Sequence, residues 1–179
     1  MKVHQTSISG ALILEPKVFT DDRGFFLESY SERTFAELGI TEKFVQDNHS
    51  SSTRGVLRGL HYQVQKPQGK LVRVVSGEGL DVFVDLRRSS PTFGRWHSVK
   101  LSAENKLQAW IPAGLAHGFY VLSESADVLY KSTEFYHPEL ERTILWNDSD
   151  LGIEWNAESP LLSPKDQRGV CFRDAEVFA

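Results

Sequence analysis

Residues 55–63 read Gly-Val-Leu-Arg-Gly-Leu-His-Tyr-Gln, with an arginine between two glycines and a histidine near the end. Leu60 and Tyr62 flank His61, so in a β-strand the imidazole points to the face opposite both neighbours. Taken alone, such a histidine is more often a core residue satisfied by a backbone carbonyl. A lysine follows seven residues later, and residues 112–117 form a second cluster, Pro-Ala-Gly-Leu-Ala-His. An imidazole beside fixed cations suits proton transfer near an anion, which makes this stretch the candidate reactive centre.

Length and composition limit the classes of protein that this chain can represent. A chain of 179 residues is expected to form one domain, residues 1–179. The formal net charge of −4 argues against a nucleic-acid partner but permits a local basic pocket for a small anion. The single cysteine, Cys171, cannot form an internal disulfide. With no apolar run of signal-peptide or membrane-span length, we expect a cytoplasmic protein without a membrane partner.

The hydrophobic pattern is mainly that of β-strands. Residues 80–86 alternate well, with four aliphatic side chains on one face and two aspartates and Phe83 on the other, and residues 119–122 and 128–133 suggest a hairpin. The best helix is residues 32–38, with Ser31 as its N-cap and Gly39 after its end. Many short strands separated by Gly, Pro and Ser predict an antiparallel sandwich or barrel.

Three further patterns are ambiguous when read from the residues alone. Residues 24–30 form a predicted strand in which Phe26 and Glu28 share a face, and an edge strand with a solvated glutamate fits equally well. Gln46 and Asn48 lie on one side of an extended segment, where their amides could read a base edge or simply form a turn. The pair at residues 165–166 reads, without other information, as part of a solvated loop.

The spacing from Gly55 to His61, together with Pro112-x-Gly-x-x-His117, is similar to the two motifs of the cupin superfamily. Metal-binding cupins use three histidines and a glutamate, but here Gln63 occupies the second histidine position. The expected glutamate is also absent, because residues 66–70 read Lys-Pro-Gln-Gly-Lys. Two histidines beside a lysine make a poor dication site, so we expect no metal.

Residues 44–63, 89–94, 101–106 and 111–119 more closely resemble the dTDP-4-dehydrorhamnose 3,5-epimerase family, and the likeness runs from about residue 8 to the chain end. The resemblance implies a mainly β, cupin-type jelly-roll barrel or sandwich with a few short helices. It implies a dTDP-sugar substrate, no cofactor, and a homodimer in which N-terminal strands, about residues 1–30, complete the neighbour's site. The implied reaction inverts carbons 3 and 5 of dTDP-4-keto-6-deoxy-D-glucose.

The resemblance also assigns roles to individual residues. His61 is the implied base, Asp166 orients it, Tyr130 is the acid, and Lys70 stabilises the enolate. Asp81 is a candidate partner for this lysine. The implied substrate-binding residues are Arg23, Phe26, Glu28, Gln46, Asp47, Asn48, Arg58, Lys70, His117, Tyr136, Glu141 and Lys165. Phe19 would join Phe26 in offering apolar faces to the thymine.

Three alternatives stay open at this point. Phe135 stands where the family often has a tyrosine, and relatives that invert only carbon 3 or carbon 5 are not separated by the residues that align. A metal-dependent cupin oxygenase or isomerase is the second alternative. A non-catalytic sugar-binding cupin is the third, although binding alone needs no base and acid pair.

Overall fold

A computed structural model describes residues 1–179 and contains thirteen β-strands and two short α-helices. The strands are β1 (Lys2–Gln5), β2 (Leu12–Glu15), β3 (Val18–Asp21), β4 (Gly24–Leu27), β5 (Gln46–Thr53), β6 (Leu57–Gln63), β7 (Lys70–Ser76), β8 (Glu78–Asp85), β9 (Trp96–Ser102), β10 (Gln108–Ile111), β11 (Leu115–Val121), β12 (Ser125–Ser132) and β13 (Glu141–Thr143). The helices are α1 (Glu32–Glu37) and α2 (Pro164–Gln167), and single 3₁₀ turns lie at Pro138–Leu140 and Phe172–Asp174. This content confirms the predicted mainly β class with a few short helices.

The strands form two antiparallel sheets that face each other. One sheet has the order β1-β2-β10-β7-β12-β5 and the other has the order β13-β6-β11-β8-β9. A core of fourteen buried residues, including Val72, Phe83 and Phe119, fills part of the space between them. A second core lies on the outer face of the five-stranded sheet, where Val82 and Val84 are covered by the C-terminal segment. The alternation predicted for residues 80–86 therefore points to two different cores.

The predicted hairpin of residues 119–122 and 128–133 is wrong. β11 pairs with β6 and β8, whereas β12 pairs with β5 and β7 in the other sheet. The connection between Val121 and Ser125 crosses from one sheet to the other. Alternation shows which face of a strand is apolar, but it does not show whether two strands that are close in sequence belong to the same sheet.

The N-terminal region contributes both to the main sheet and to a separate ribbon. β1 and β2 pair within the six-stranded sheet, while β3 and β4 form a two-stranded sheet of their own. The predicted strand of residues 24–30 ends at Leu27, because β4 pairs only with β3. Ser31 caps α1 by accepting from the backbone N–H of Thr34, as the pattern predicted. Neither helix has the length and hydropathy that crossing a membrane requires.

Candidate active site

A cavity of about 510 Å³ opens between the two sheets and is lined mainly by polar side chains. Residues from the six-stranded sheet, the five-stranded sheet and α2 all reach it. The lining residues are Gln46, Asn48, Ser50, Arg58, His61, Gln68, Lys70, His117, Gly118, Phe119, Tyr130, Tyr136, Glu141, Ser163, Lys165 and Asp166. Eleven of the sequence-predicted site residues therefore meet in one place.

The close approach of β6 and β11 places two histidines side by side. His61 and His117 are direct cross-strand partners, and the register shifts immediately after this pair. Gly59 has a φ of +129°, and a Cβ at this position would lie 2.5 Å from the Cα of Gly118. No side chain fits such a contact, so a glycine is required at position 59 by the close approach of the two paired strands.

His61 is paired with a carboxylate from the distant end of the chain. Its Nε2 lies 2.6 Å from Oδ1 of Asp166, and that side chain is only 3% exposed. Leu60 and Tyr62 are buried on the opposite face of β6, as the alternation predicted. The alternative of a core histidine satisfied by a backbone carbonyl is therefore wrong. With Nε2 engaged by the carboxylate, Nδ1 remains available to take a proton.

The first turn of α2 sets the position of this carboxylate. Ser163 is the N-cap and Asp166 the third helical residue of a capping box, in which each side chain bonds the other's backbone N–H. The Ser163 hydroxyl donates to Asp166 Oδ2 at 2.5 Å, and the Gly59 N–H donates to Oδ1 at 3.2 Å. The Ser-Pro-Lys-Asp pattern with proline at the first helical position is a helix-start signal, and it indicates order rather than a solvated loop.

The environment keeps this pair in the protonation states that a base needs. Burial alone would raise the pKa of Asp166, but hydrogen bonds from His61 and Ser163 outweigh it and lower that pKa to about 2. Burial lowers the pKa of His61 below its usual value, while the hydrogen bond to Asp166 opposes that shift. At neutral pH the carboxylate is ionised and the imidazole is available in its neutral form.

Tyr130 faces the cavity from the other sheet. It lies on β12 of the six-stranded sheet, whereas His61 lies on β6 of the five-stranded sheet, so the two groups approach a bound molecule from opposite sides. The phenol makes no hydrogen bond within the chain. Burial raises the pKa of Tyr130, and the nearby charge of Glu141 adds to the shift, so the hydroxyl keeps its proton at neutral pH.

Lys70 brings an unpaired ammonium group into the cavity. It opens β7 and is 8% exposed, yet Nζ makes no hydrogen bond or ion pair within the chain. Burial lowers the pKa of Lys70 to about 8, while the charges of Glu141 and Asp81 oppose the shift. Below pH 8 a buried cation is therefore available to stabilise a developing negative charge.

The suggested pairing of Asp81 with Lys70 is wrong, because the aspartate bonds to His117 instead. Oδ2 of Asp81 lies 2.8 Å from His117 Nε2, and both side chains are buried. β8 and β11 are hydrogen-bonded neighbours, whereas Lys70 lies on the opposite sheet. The second carboxylate oxygen of Asp81 is buried without a hydrogen-bond partner.

Glu141 connects two other predicted site residues at the cavity. It accepts hydrogen bonds from the Tyr136 hydroxyl at 2.8 Å and from the Lys165 ammonium at 2.9 Å. The bond to Glu141 raises the pKa of Tyr136 to about 12. Burial would raise the pKa of Glu141, but the bonds from its two partners lower it overall. The trio thus joins a neutral phenol, a carboxylate and an ammonium group along one wall of the cavity.

Polar groups of β5 and β6 line the remaining part of the cavity. The Gln46 amide donates to Asn48 Oδ1 at 2.9 Å, so the two amides do lie on one side of the strand. Arg58 donates to the Ser52 hydroxyl through Nε and Nη2. The Ser50 hydroxyl is buried and has no partner. These donors and acceptors suit an anionic, polar ligand.

Four predicted substrate-binding residues lie outside the cavity of a single chain. Arg23 is in the turn between β3 and β4, where it pairs with Asp21 and its side chain is 90% exposed. Phe26 is 69% exposed on the same ribbon, and Glu28 accepts from the Thr34 hydroxyl. Asp47 points away from the cavity and pairs with Lys131. The structure therefore does not bring these four residues to the cavity.

Two polar networks escaped the sequence-based interpretation. Gln63, in the position of a missing cupin ligand, is buried and bonds three backbone groups. Asp85 is fully buried and accepts hydrogen bonds from Arg87, Ser90 and Thr92, which explains the Ser-Ser-Pro-Thr-Phe-Gly stretch of residues 89–94 as structural. No group of three or more His, Cys, Asp or Glu side chains is close enough to hold a metal ion.

Comparison with known proteins gives matches along almost the whole chain. The family model described as dTDP-4-dehydrorhamnose 3,5-epimerase matches residues 5–174. A dTDP-4-dehydrorhamnose 3,5-epimerase of Pseudomonas aeruginosa is 59% identical over 180 residues, covering 99% of each chain.

Two solved structures are also similar. An epimerase from Legionella pneumophila in complex with dTDP-4-keto-L-rhamnose has a TM-score of 0.95 and 53% identity, covering 98% of this chain and 94% of its own. A 3'-monoepimerase from Streptomyces bikiniensis in complex with dTDP-quinovose has a TM-score of 0.87 and 38% identity, covering 94% and 86%.

Proposed function

The chain belongs to the dTDP-4-dehydrorhamnose 3,5-epimerase family, and on that premise we propose that it converts dTDP-4-keto-6-deoxy-D-glucose to dTDP-4-keto-L-rhamnose. This is a step of dTDP-L-rhamnose biosynthesis. The observation that carries the proposal is the His61–Asp166 pair facing Tyr130 across one cavity. A base and an acid on opposite sides of a sugar ring are what inversion of a carbon centre by proton transfer requires.

His61 is the proposed base. Carbons 3 and 5 both lie α to the carbon-4 ketone, so loss of either proton gives an enolate. The neutral imidazole takes the proton through Nδ1, while the carboxylate of Asp166 holds Nε2–H and stabilises the imidazolium that forms. The lowered pKa of the imidazole supports this role, because it keeps the ring unprotonated at neutral pH.

Tyr130 is the proposed acid. It returns a proton to the enolate carbon from the opposite face, which inverts the configuration. Its unpartnered hydroxyl supports this role, because no bond within the chain must break before the proton moves. The raised pKa of the phenol supports it further, since the acid must be protonated before it acts.

Lys70 is the proposed stabiliser of the enolate oxygen. A buried cation without a partner in the chain is worth most when negative charge develops beside it in a site that excludes water. The role is supported by the burial of Lys70 and by the absence of a salt bridge to it. The reaction needs no cofactor, because the protons and the ketone are the only reacting groups.

The nucleotide part of the substrate is proposed to bind at the polar end of the cavity. Arg58 and His117 would contact the phosphates or sugar, since an arginine fork matches phosphate geometry. Gln46 and Asn48 would contact the nucleoside. Tyr136, Glu141 and Lys165 would complete the substrate-binding wall.

A homodimer is proposed to complete the site. Phe19, Phe25 and Phe26 are exposed on the β3–β4 ribbon, an arrangement that favours contact with another chain. Because β1 and β2 pair in their own sheet, the proposed exchange concerns mainly residues 18–28 and brings Arg23 and Glu28 to the neighbour's cavity. A cytoplasmic location stays a prediction.

Proton NMR of dTDP-4-keto-6-deoxy-D-glucose in D₂O tests the function directly. With the protein and no added metal or nicotinamide, we expect deuterium at both carbon 3 and carbon 5. Incorporation at only one carbon would instead establish a mono-epimerase. This alternative is relevant because the similar Streptomyces bikiniensis protein is a 3'-monoepimerase. A folded protein that binds dTDP but exchanges neither proton would contradict both.

A further inference from the structure

Gln63 occupies the position of a metal ligand in other cupins, yet its amide is fully used by the backbone. The side chain is 3% exposed at the end of β6. Its Nε2 donates to the carbonyl oxygens of Lys66 at 2.7 Å and Phe135 at 3.1 Å, and its Oε1 accepts from the N–H of His137 at 2.8 Å. Two of these three contacts lie immediately before and after Tyr136.

The segment around Tyr136 depends on such contacts, because it belongs to no helix or strand. The N–H groups of residues 135–137 bond only to side chains. Phe135 N–H donates to Glu134 Oε1, Tyr136 N–H to Gln46 Oε1, and His137 N–H to Gln63 Oε1. The conformation of the segment is therefore set by side-chain oxygens, two from glutamine amides and one from a glutamate, rather than by a backbone ladder.

The same residue also fixes the partner of Tyr136. Gln63 is paired in register with Glu141 of β13, and Glu141 accepts the Tyr136 hydroxyl at 2.8 Å. The backbone of Gln63 thus holds one member of this hydrogen bond and its side chain holds the other. A planar amide alone supplies two donors and one acceptor in this arrangement, since glutamate has no N–H and histidine has too few donors.

We propose that Gln63 is a positioning residue that holds Tyr136 against Glu141 so that the tyrosine can contact the nucleotide sugar. The inference rests on the proposed function. The Gln63 amide bonds none of His61, Tyr130 and Lys70, so its loss leaves the proton-transfer groups themselves in place. Loss of the amide therefore acts on substrate binding, and raises KM while kcat is retained.

A double-mutant cycle of Gln63→Glu and Tyr136→Ala tests this proposal. We expect each single variant to raise KM about tenfold and to change kcat less than about threefold. The double variant is expected to raise KM no further than Tyr136→Ala alone, because both changes remove the same contact. Asp85→Asn, which weakens a buried network outside the cavity, controls for lost stability.

An unchanged KM in Gln63→Glu, a fall in kcat alone, or effects that multiply in the double variant would each overturn the proposal. If Gln63→Glu does not fold, Gln63→Met replaces it, and an unchanged KM in Tyr136→Ala overturns the proposal by itself. Turnover of the unaltered protein in the same assay reports separately on the proposed function. A failure of either one is therefore distinguishable from a failure of the other.

Discussion

Replacing Asp166 with asparagine removes the charge behind the proposed base while keeping its shape. In the folded chain the pKa of this carboxyl falls from 3.8 to about 2. At 1.36 kcal/mol per pKa unit, its surroundings favour the ionised form by about 2 kcal/mol. One carboxylate oxygen of Asp166 accepts from His61 and Gly59, and the other accepts from the N–H and the hydroxyl of Ser163. Asparagine has only one acceptor oxygen, so one of these sets of donors loses its partner and we expect a comparable loss of stability.

The catalytic effect should be larger than the effect on stability. Without the carboxylate the imidazolium loses its counter-charge, and an amide N–H facing Nε2 would favour the wrong tautomer. We expect kcat to fall about 10²- to 10⁴-fold, the range for loss of an orienting carboxylate. Because Asp166 raises the pKa of His61, the acid limb of the kcat/KM profile should also move to lower pH.

Deuterium incorporation at carbons 3 and 5 measures the rate, and thermal unfolding measures the stability. Asp85→Asn is the matched control, because Asp85 is also buried with a pKa of about 2 but lies outside the cavity. Both variants should lower Tm by about 4–8 °C, and only Asp166→Asn should lose activity. If Asp166→Asn kept kcat within about threefold while Tm fell as in the control, the reasoning about the pair would be refuted.

Three other predictions follow from the site and its supports. The value of kcat/KM should fall as the pH rises through about 8, because Lys70 then loses its charge. It should also fall at acid pH, where His61 becomes protonated, and this limb should lie below the usual pKa of histidine. A profile that is flat from pH 7 to 10 would contradict the role of the lysine. Tyr130→Phe should abolish net inversion without lowering Tm, because the tyrosine hydroxyl makes no hydrogen bond in the chain. Proton NMR in D₂O should still detect deuterium exchange catalysed by His61. Full inversion by this variant would exclude Tyr130 as the acid. Gly59→Ala should lower the free energy of unfolding by about 3 kcal/mol or more in a denaturant titration, because the new Cβ would clash with the facing strand. Gly152→Ala is the control: its Cβ would meet open space, so it should cost only about 1 kcal/mol. Equal losses in the two variants would contradict the packing argument.

Local patterns in the sequence predicted a large part of the secondary structure. The N-cap of α1 at Ser31, the left-handed Gly39 after its end and the two-residue alternation of residues 80–86 followed from the residues themselves. These features depend on neighbours within a few positions, so no knowledge of the distant chain was needed. The extent of the strand after Gly24 was overestimated, because a strand ends where its partner ends.

The pairing between elements that are distant in the sequence was harder to predict. The apolar pattern of residues 119–133 was read correctly as two strands, but their sheet partners were wrong. The proposed pair of Asp81 and Lys70 failed for the same reason, because His117 on the neighbouring strand β11 bonds the aspartate instead. A period of two shows which way a side chain points and contains no information about what stands opposite.

The amino-acid sequence was enough to predict the class of fold, the face of the strand on which His61 lies and, through its motifs, the family. Only the tertiary structure brought Asp166 to Nε2 of that histidine across 105 positions of chain and placed Tyr130 on the opposite sheet. Only the tertiary structure gave Gln63 its three backbone partners. The reason is that face and turn are set by short-range sterics, whereas the partner of a buried polar group is whichever atom the packed sheets leave within hydrogen-bond distance.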